Sequence, residues 1–283
     1  MVLEKLGIFA DPNDIPSDVA TAIFVSKHVS SSGRAALTVH TTGNLTKEAK
    51  FGGNPEEISY VSPSIIRRAL RALKAGAGQA GVQIEITMEA THHGPTSLSM
   101  PVCFVEIGSG EKEWADPVLG EIAANAVMSA IDVEETPPTA VGFGGTHYSA
   151  KHTRICMEGN YAIGHLVSSH SFDGGVSERV VGDTFSKTTG SCNTAIVDWK
   201  GLHSNDRRRL ISSLEAAGAR TFLQSARRLF HVAQKPDWEE TYLLIKISVL
   251  GVAIVGGIGF VIRILFWLVG LYNLPQSQTT PTP

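Results

Sequence analysis

Cysteine is scarce in this sequence: 283 residues include three, Cys103, Cys156 and Cys192. An odd number of widely spaced cysteines provides neither a disulfide framework nor a C-x-x-C metal pair, so we expect a reducing compartment. An excess of charge of one sign is also missing, because 24 basic and 27 acidic side chains leave a formal net charge of −3. This balance excludes a dedicated polybasic nucleic-acid binder.

The signatures of several common enzyme classes are absent as well. The chain contains no G-x-S-x-G nucleophile elbow, no G-x-x-x-x-G-K-S/T phosphate loop and no H-E-x-x-H zinc motif. Serine hydrolases with a nucleophile elbow, P-loop enzymes and zincins therefore lack their sequence support. Residues 1–18 show no basic segment followed by an apolar one, so we expect no cleavable signal peptide.

Charge is almost lacking in a long segment near the C-terminus. Residues 247–274 contain a single charged residue, Arg263. About 20 apolar residues in a helix span a bilayer core of roughly 30 Å, so the sequence predicts one transmembrane helix. Lys235 and Lys246 lie on its N-terminal side. By the positive-inside rule, they place the preceding body in the cytoplasm.

The segment before the predicted span is amphipathic. Residues 222–233 repeat apolar side chains at helical spacing beside Arg227 and Arg228, which predicts an interfacial helix. Lys235-Pro236 then forms a hinge, and Gly256-Gly257-Ile258-Gly259 lies within the apolar run. In this order, residues 225–268 resemble SecE, the gamma subunit of the Sec protein translocon. The resemblance implies the channel subunit of the translocon as a partner, and a plain membrane anchor is the alternative interpretation.

In the body of the chain, up to residue 222, short apolar runs alternate with helical patterns. This alternation predicts an α/β layered domain. The predicted strands are residues 21–25, 36–40, 82–89, 102–107, 139–143, 161–166 and 194–197, several of them apolar enough for a sheet buried on both faces. The predicted helices are residues 64–75, 117–131 and 205–217.

Histidines follow several of these predicted strands, often beside glycine. They are His28, His40, His92, His93, His147 and His165. Ligands in open α/β sheets bind beyond the carboxyl ends of strands, and histidine serves there as a base or as a metal ligand. With Glu89 and Glu106 nearby, the set is suited to binding Zn²⁺ or to activating water without a metal, and spacing alone leaves both open.

Longer motifs around these histidines are specific enough to indicate a family. They are Thr38-Val39-His40-Thr41-Thr42-Gly43-Asn44, Glu89-Ala90-Thr91-His92-His93-Gly94-Pro95-Thr96, Gly144-Gly145-Thr146-His147-Tyr148 and Gly164-His165. In this order and over residues 26–222, the chain resembles the archaeal and plant type of D-aminoacyl-tRNA deacylase. The resemblance implies a phosphorylase/peptidyl-tRNA-hydrolase-like α/β fold, hydrolysis of the ester between a D-amino acid and tRNA, and zinc as the cofactor.

Motif position and chemistry together yield the candidate site residues. The catalytic candidates are His92, His93, His147 and Glu89. The metal-ligand candidates are His93, His147, Glu106, His40 and His165. The candidate contacts for tRNA phosphates, on one predicted helix, are Arg67, Arg68, Arg71 and Lys74. A solvated helix face is the alternative interpretation of this last group.

The sequence predicts three segments: a deacylase-like domain (1–222), a SecE-like amphipathic and transmembrane segment (223–274) and a disordered tail (275–283). The first hypothesis is a cytoplasmic deacylase for chiral proofreading of D-aminoacyl-tRNA, tethered to the membrane by one span. The second is a translocase gamma subunit that carries an inactive deacylase-like passenger. The third is an unrelated metallohydrolase on the same scaffold.

Overall fold

The computed structural model describes residues 15–16, 18–30, 33–131, 136–219 and 238–268. The chain divides into two compact units, Met1–Gln224 and Ser225–Pro283. The strands of the first unit are β1 (Ala22–Val29), β2 (Ala36–His40), β3 (Glu85–Met88), β4 (Val102–Ser109), β5 (Thr139–Phe143), β6 (Ala162–Val167) and β7 (Ala195–Val197). Its helices are α1 (Pro63–Gln79), α2 (Glu111–Trp114), α3 (Pro117–Ile131), α4 (Ala150–Glu158), α5 (Ser169–Asp173), α6 (Glu178–Ser186) and α7 (Ser204–Ala216).

These elements confirm the α/β fold predicted from the alternation of patterns. All seven predicted strands are present, and the three predicted helices correspond to α1, α3 and α7. The sequence patterns missed α2, α4, α5 and α6. All four are short, and α4 carries the polar run Ala150-Lys151-His152-Thr153-Arg154, which weakens any apolar periodicity. A helix of that length needs tertiary packing for most of its stability.

The strands form two sheets rather than one. The first has the order β1-β4-β2-β3 and the second the order β6-β5-β7. β1 pairs parallel to β4 and β2 parallel to β3, whereas β2 runs antiparallel to β4. The first sheet is therefore mixed, and the second is parallel throughout.

The two faces of the four-stranded sheet carry different side chains, because side chains alternate along each strand. Leu37 and Val105 belong to the main hydrophobic core, together with apolar side chains of α1 and α3. The other face carries Glu106 of β4 beside Val102 and Phe104, and these two apolar residues belong to a separate hydrophobic cluster. The central strands β2 and β4 are therefore buried on both faces, and the polar side chains occupy part of the second face.

The described part of the second unit is one helix, α8 (Trp238–Leu268). Among the residues that the structure describes, no helix is both long enough and apolar enough to cross a membrane, so the predicted transmembrane helix is not found among them. The predicted amphipathic helix over residues 222–233 and the predicted tail over residues 275–283 lie outside the described residues.

Candidate active site

Side chains from the second face of the mixed sheet meet side chains from two loops. The sheet contributes His28 near the end of β1, His40 at the end of β2 and Glu106 on β4. The loops contribute Glu89, His92 and His93 after β3, and His147 and Tyr148 before α4. Backbone bridges join Glu89 to Tyr148 and Thr42 to His92. These bridges fix both loops at the same end of the sheet.

Two buried carboxylates form the centre of this cluster. Glu89 is 1% exposed and Glu106 is 5% exposed. His147 lies with Nε2 2.9 Å from Oε2 of Glu89. His28 lies between the two carboxylates, with Nδ1 3.3 Å from Oε1 of Glu89 and 3.4 Å from Oε2 of Glu106. Each buried carboxylate is therefore paired with imidazole, as a buried charge requires.

Three further imidazoles pack against one another beside the carboxylates. The ring centroids of His40 and His92 are 4.2 Å apart, and those of His92 and His93 are 4.4 Å apart. The Nδ1 atoms contact backbone carbonyl oxygens of Thr41 (His40, 3.0 Å), Ala90 (His92, 2.8 Å) and Gly94 (His93, 2.6 Å). A carbonyl oxygen only accepts, so Nδ1 carries the proton, and in a neutral ring Nε2 holds the lone pair.

The backbone at His93 adopts an unusual conformation. Its φ is +44°, in the left-handed region that residues with a side chain seldom occupy. Such a conformation costs on the order of 1–3 kcal/mol and persists where the surrounding structure holds it. Here His93 contacts the ring of Phe104 edge-on, with centroids 5.0 Å apart. The strain is consistent with a functional demand on the direction of this imidazole.

The environment separates the imidazoles into two protonation classes. Burial and the charge of the neighbouring His40 together lower the pKa of His92 well below its usual value and that of His93 to about 4. Burial also acts to lower the pKa of His28 and His40, but attraction to the carboxylate of Glu106, with the charge of Glu89, outweighs it, so both pKa values are raised. His92 and His93 are therefore neutral at neutral pH.

The two carboxylates remain ionised despite their burial. Burial acts to raise the pKa of Glu89, and the hydrogen bond from His147 with the charges of His40 and His28 more than compensates. Burial acts to raise the pKa of Glu106 as well, but the imidazoles of His28 and His40, with ring nitrogens 3.4 Å and 3.7 Å from Oε2, lower it more strongly. The cluster thus offers both anionic oxygen and neutral imidazole nitrogen.

This donor set fits a divalent metal such as zinc. Three groups bring potential ligand atoms within 4.8 Å of one another: His40/His92/His93, Glu89/His92/His147 and His28/Glu89/Glu106. Two buried atoms of these groups, Nε2 of His40 and Oε1 of Glu89, make no hydrogen bond with the described residues. Neutral imidazoles with Nδ1–H bound to a carbonyl oxygen are the usual arrangement around a metal.

The structure brings together most of the predicted site residues. His40, Glu89, His92, His93, Glu106 and His147 lie in the cluster. His165 does not: it is on β6 in the other sheet, fully buried, with Nδ1 3.3 Å from Oγ1 of Thr91. Burial lowers its pKa to about 3. Among the described residues it belongs to no metal-binding group, which favours a role in packing.

His28 and Tyr148 belong to the cluster but are missing from the predicted site residues. His28 Nε2 is 2.5 Å from the hydroxyl of Tyr148. Both were visible in the sequence, because Tyr148 follows His147 directly and His28 is one of the histidines that follow predicted strands. The predicted first strand ended at residue 25, whereas β1 continues to Val29 and includes His28.

The predicted tRNA contacts on α1 make intramolecular bonds. Arg67 is 6% exposed and donates to the carbonyl oxygens of Gly159 and Tyr161. Arg68 donates to the carbonyl oxygen of Ala130, Arg71 to that of Met157, and Lys74 to Glu158. These bonds tie α1 to its neighbours and support a structural role, and contact with tRNA stays a prediction.

Comparison with known proteins places this geometry in context. Residues 15–222 match the family model for D-aminoacyl-tRNA deacylase. The chain is 40% identical to the D-aminoacyl-tRNA deacylase of Aeropyrum pernix over 216 residues, which is 74% of this chain and 77% of that protein. It is 37% identical to the D-aminoacyl-tRNA deacylase of Methanosarcina mazei over 228 residues, 79% of this chain and 75% of that protein.

A solved structure shares the fold. The crystal structure of a conserved protein of unknown function superposes with a TM-score of 0.68 at 33% sequence identity and covers 75% of each chain. The residues that match the family model end at 222. The SecE-like interpretation of the residues that follow, and the translocase hypothesis with it, gain no support from these comparisons.

Proposed function

Since the chain belongs to the D-aminoacyl-tRNA deacylase family, we propose that its buried histidine and carboxylate cluster hydrolyses the ester of D-aminoacyl-tRNA. The chain is a D-aminoacyl-tRNA deacylase, and thus a hydrolase. The observation that carries the assignment of the site is the pairing of His147 with the ionised, buried Glu89, next to three packed imidazoles.

His147 is the group best placed to act as the base. Its Nε2 donates to Glu89, which leaves Nδ1 with the lone pair, and its side chain is 42% exposed. Water that attacks the ester carbonyl carbon transfers a proton to this nitrogen. Glu89 fixes the tautomer and stabilises the imidazolium that forms. The tetrahedral intermediate then releases the ribose oxygen, which takes the proton, and the products are free D-amino acid and tRNA.

The resident metal implied by the family would be held by His40, His92 and His93, whose potential ligand atoms lie within 4.8 Å of one another. His92 and His93 are neutral, whereas His40, with its raised pKa, would release its Nε2 proton on binding. Zinc in such a site supplies Lewis-acid chemistry for ester hydrolysis. The chain's own contribution is to fix these imidazoles through Thr41, Ala90 and Gly94. Zinc as the metal is part of the proposal.

The test is deacylation of D-tyrosyl-tRNA and L-tyrosyl-tRNA by the full chain, with His147→Ala as the variant. His170→Ala, which removes an exposed imidazole on α5, is the matched control. We expect loss of D-specific hydrolysis in the first variant and wild-type rates in the second. Full activity of His147→Ala would refute its role as the base, and equal hydrolysis of both substrates would refute chiral proofreading. Metal content by mass spectrometry, before and after a chelator, tests zinc separately.

Attachment to a membrane, with the N-terminal domain in the cytoplasm, stays a prediction from sequence. Fractionation of cells that express the full chain or residues 1–222 tests it, because only the full chain is expected in the membrane fraction. Co-purification of the full chain with the translocon channel subunit tests the SecE-like interpretation. An equal distribution of both chains between fractions would contradict the predicted localisation.

A further inference from the structure

A cavity of about 320 Å³ opens beside the histidine and carboxylate cluster. It is lined by His28, Ser30, Arg34, Ala36, Glu85, Ser109, Thr146 and Tyr148. Six of these are polar or charged side chains outside the imidazole set, and three carry a hydroxyl on a short side chain. The lining therefore offers hydrogen-bonding groups together with apolar surface.

The cavity follows directly from the register of the mixed sheet. His28 and Ala36 both lie opposite Gly108, and Ala36 lies opposite Glu85. These residues form one row across the strands, where β1 and β4 end. Gly108 leaves room for the imidazole, because a Cβ there would be 2.7 Å from Cδ2 of His28. Small side chains in the middle of the row produce the space, and the carboxyl ends of parallel strands are where ligands bind.

The cavity shares a wall with the catalytic group. The hydroxyl of Tyr148 contacts His28, and the Tyr148 ring meets the His147 ring edge-on at a centroid distance of 5.2 Å. A ligand in the cavity therefore lies one aromatic ring away from His147. The ester in D-aminoacyl-tRNA is attached to the ribose of the terminal nucleotide. That nucleotide must therefore lie beside His147, the proposed catalytic base, during hydrolysis.

On the basis of the proposed function, we propose that this cavity binds the 3′-terminal adenosine of the tRNA. The hydroxyl oxygens of Ser109 and Thr146 donate to backbone carbonyl oxygens and keep lone pairs that accept from ribose and base donors, while Tyr148 adds an aromatic ring to the wall. Arg34, exposed at the rim, suits the phosphate of the same nucleotide. The other occupant is the amino-acid side chain, which the kinetic experiment below distinguishes from the nucleotide.

The experiment measures binding of adenosine 5′-monophosphate to the full chain by calorimetry, for wild type, Ala36→Leu and Arg34→Ala. Filling the cavity at Ala36 is expected to weaken binding at least about 10-fold, because the larger side chain occupies volume that the ligand needs. Loss of the guanidinium is expected to weaken nucleotide binding about 10-fold or more and adenosine binding much less. Arg154→Ala, an exposed cation on α4, is the matched control.

Deacylation kinetics of the same variants exclude the other occupant. If the cavity holds the nucleoside, Ala36→Leu raises KM for D-alanyl-tRNA and D-tyrosyl-tRNA by the same factor. A KM effect confined to the larger amino acid, or nucleotide binding that both variants leave unchanged, would overturn the proposal. Arg34→Ala keeps the test valid if Ala36→Leu does not fold, because Arg34 is exposed. If both variants weaken nucleotide binding but the wild-type chain hydrolyses neither substrate, the nucleotide subsite is supported and the proposed function is refuted.

Discussion

Replacing Glu89 by glutamine isolates the electrostatic part of the proposed mechanism. The isosteric amide keeps the volume of a side chain that is 1% exposed, but it removes the negative charge beside His147. Unit charges 2.9 Å apart attract by about 6 kcal/mol at an effective dielectric of about 20. Because the His147 side chain is 42% exposed, solvent screening roughly halves this value to about 3 kcal/mol, or about 100-fold in kcat/KM.

A double-mutant cycle shows whether Glu89 acts through His147. The assay is hydrolysis of D-tyrosyl-tRNA under kcat/KM conditions by Glu89→Gln, His147→Ala and the combined variant. Residues that act as a unit are strongly non-additive, so the combined variant is expected to match His147→Ala within about 3-fold. Glu121→Gln, which alters an exposed carboxylate on α3, controls for loss of charge alone.

Two results would refute this reasoning. Losses that multiply in the combined variant would show that Glu89 and His147 act independently. A loss in Glu89→Gln that tracks a loss of bound metal would show that Glu89 serves the metal rather than the base. Metal content of each variant is therefore measured on the same preparation as the kinetics.

Three further changes test the packing and the charges around the site. Gly108→Ala places a Cβ 2.7 Å from Cδ2 and 2.9 Å from Cβ of His28 and is expected to lower both kcat and thermal stability; an unchanged kcat would contradict the tight approach. His165 has a folded pKa of about 3, below its unfolded value of about 6.5, so its contribution to stability is complete above pH 6.5 and falls by up to about 1.4 kcal/mol per pH unit towards pH 3. His165→Gln should flatten this acid dependence in urea titrations, and an equally steep dependence would disprove it. Arg67→Met removes two hydrogen bonds from a buried guanidinium and should lower the free energy of unfolding by about 2–4 kcal/mol while KM for tRNA stays constant; a raised KM instead would favour the predicted tRNA contact.

The sequence predicted the strands well because their signal is local. Short apolar runs marked the strands, and helical spacing of apolar residues marked the first helix. The split into two sheets and the antiparallel pairing of β2 with β4 depend on contacts between residues far apart in sequence. No short stretch of the sequence contains the information on which strands pair. The short helices were missed for the related reason that their stability comes from tertiary packing.

The site was predicted in part, and the omission of His28 has a specific cause. Motifs around His92, His93 and His147 are contiguous, so the sequence shows them directly. His28 joins them only because β1 pairs parallel to β4 and continues to Val29, which brings the imidazole over Gly108. Of the β4 residues on the face of the sheet that carries the site, Glu106 is polar whereas Val102 and Phe104 are apolar, so the strand pattern did not distinguish the site from the core.

The charges of the cluster explain how so polar a group remains buried. Two ionised carboxylates, Glu89 and Glu106, face two imidazoles with raised pKa values, those of His28 and His40. Near pH 6.5 these charges nearly cancel, which limits the desolvation cost of the set. A divalent metal bound beside them adds two positive charges and must displace protons from the same imidazoles. Metal affinity is therefore expected to rise with pH by up to about 10-fold per pH unit for each proton released. Because the metal replaces protons of similar total charge, the net charge beside the two buried carboxylates changes little.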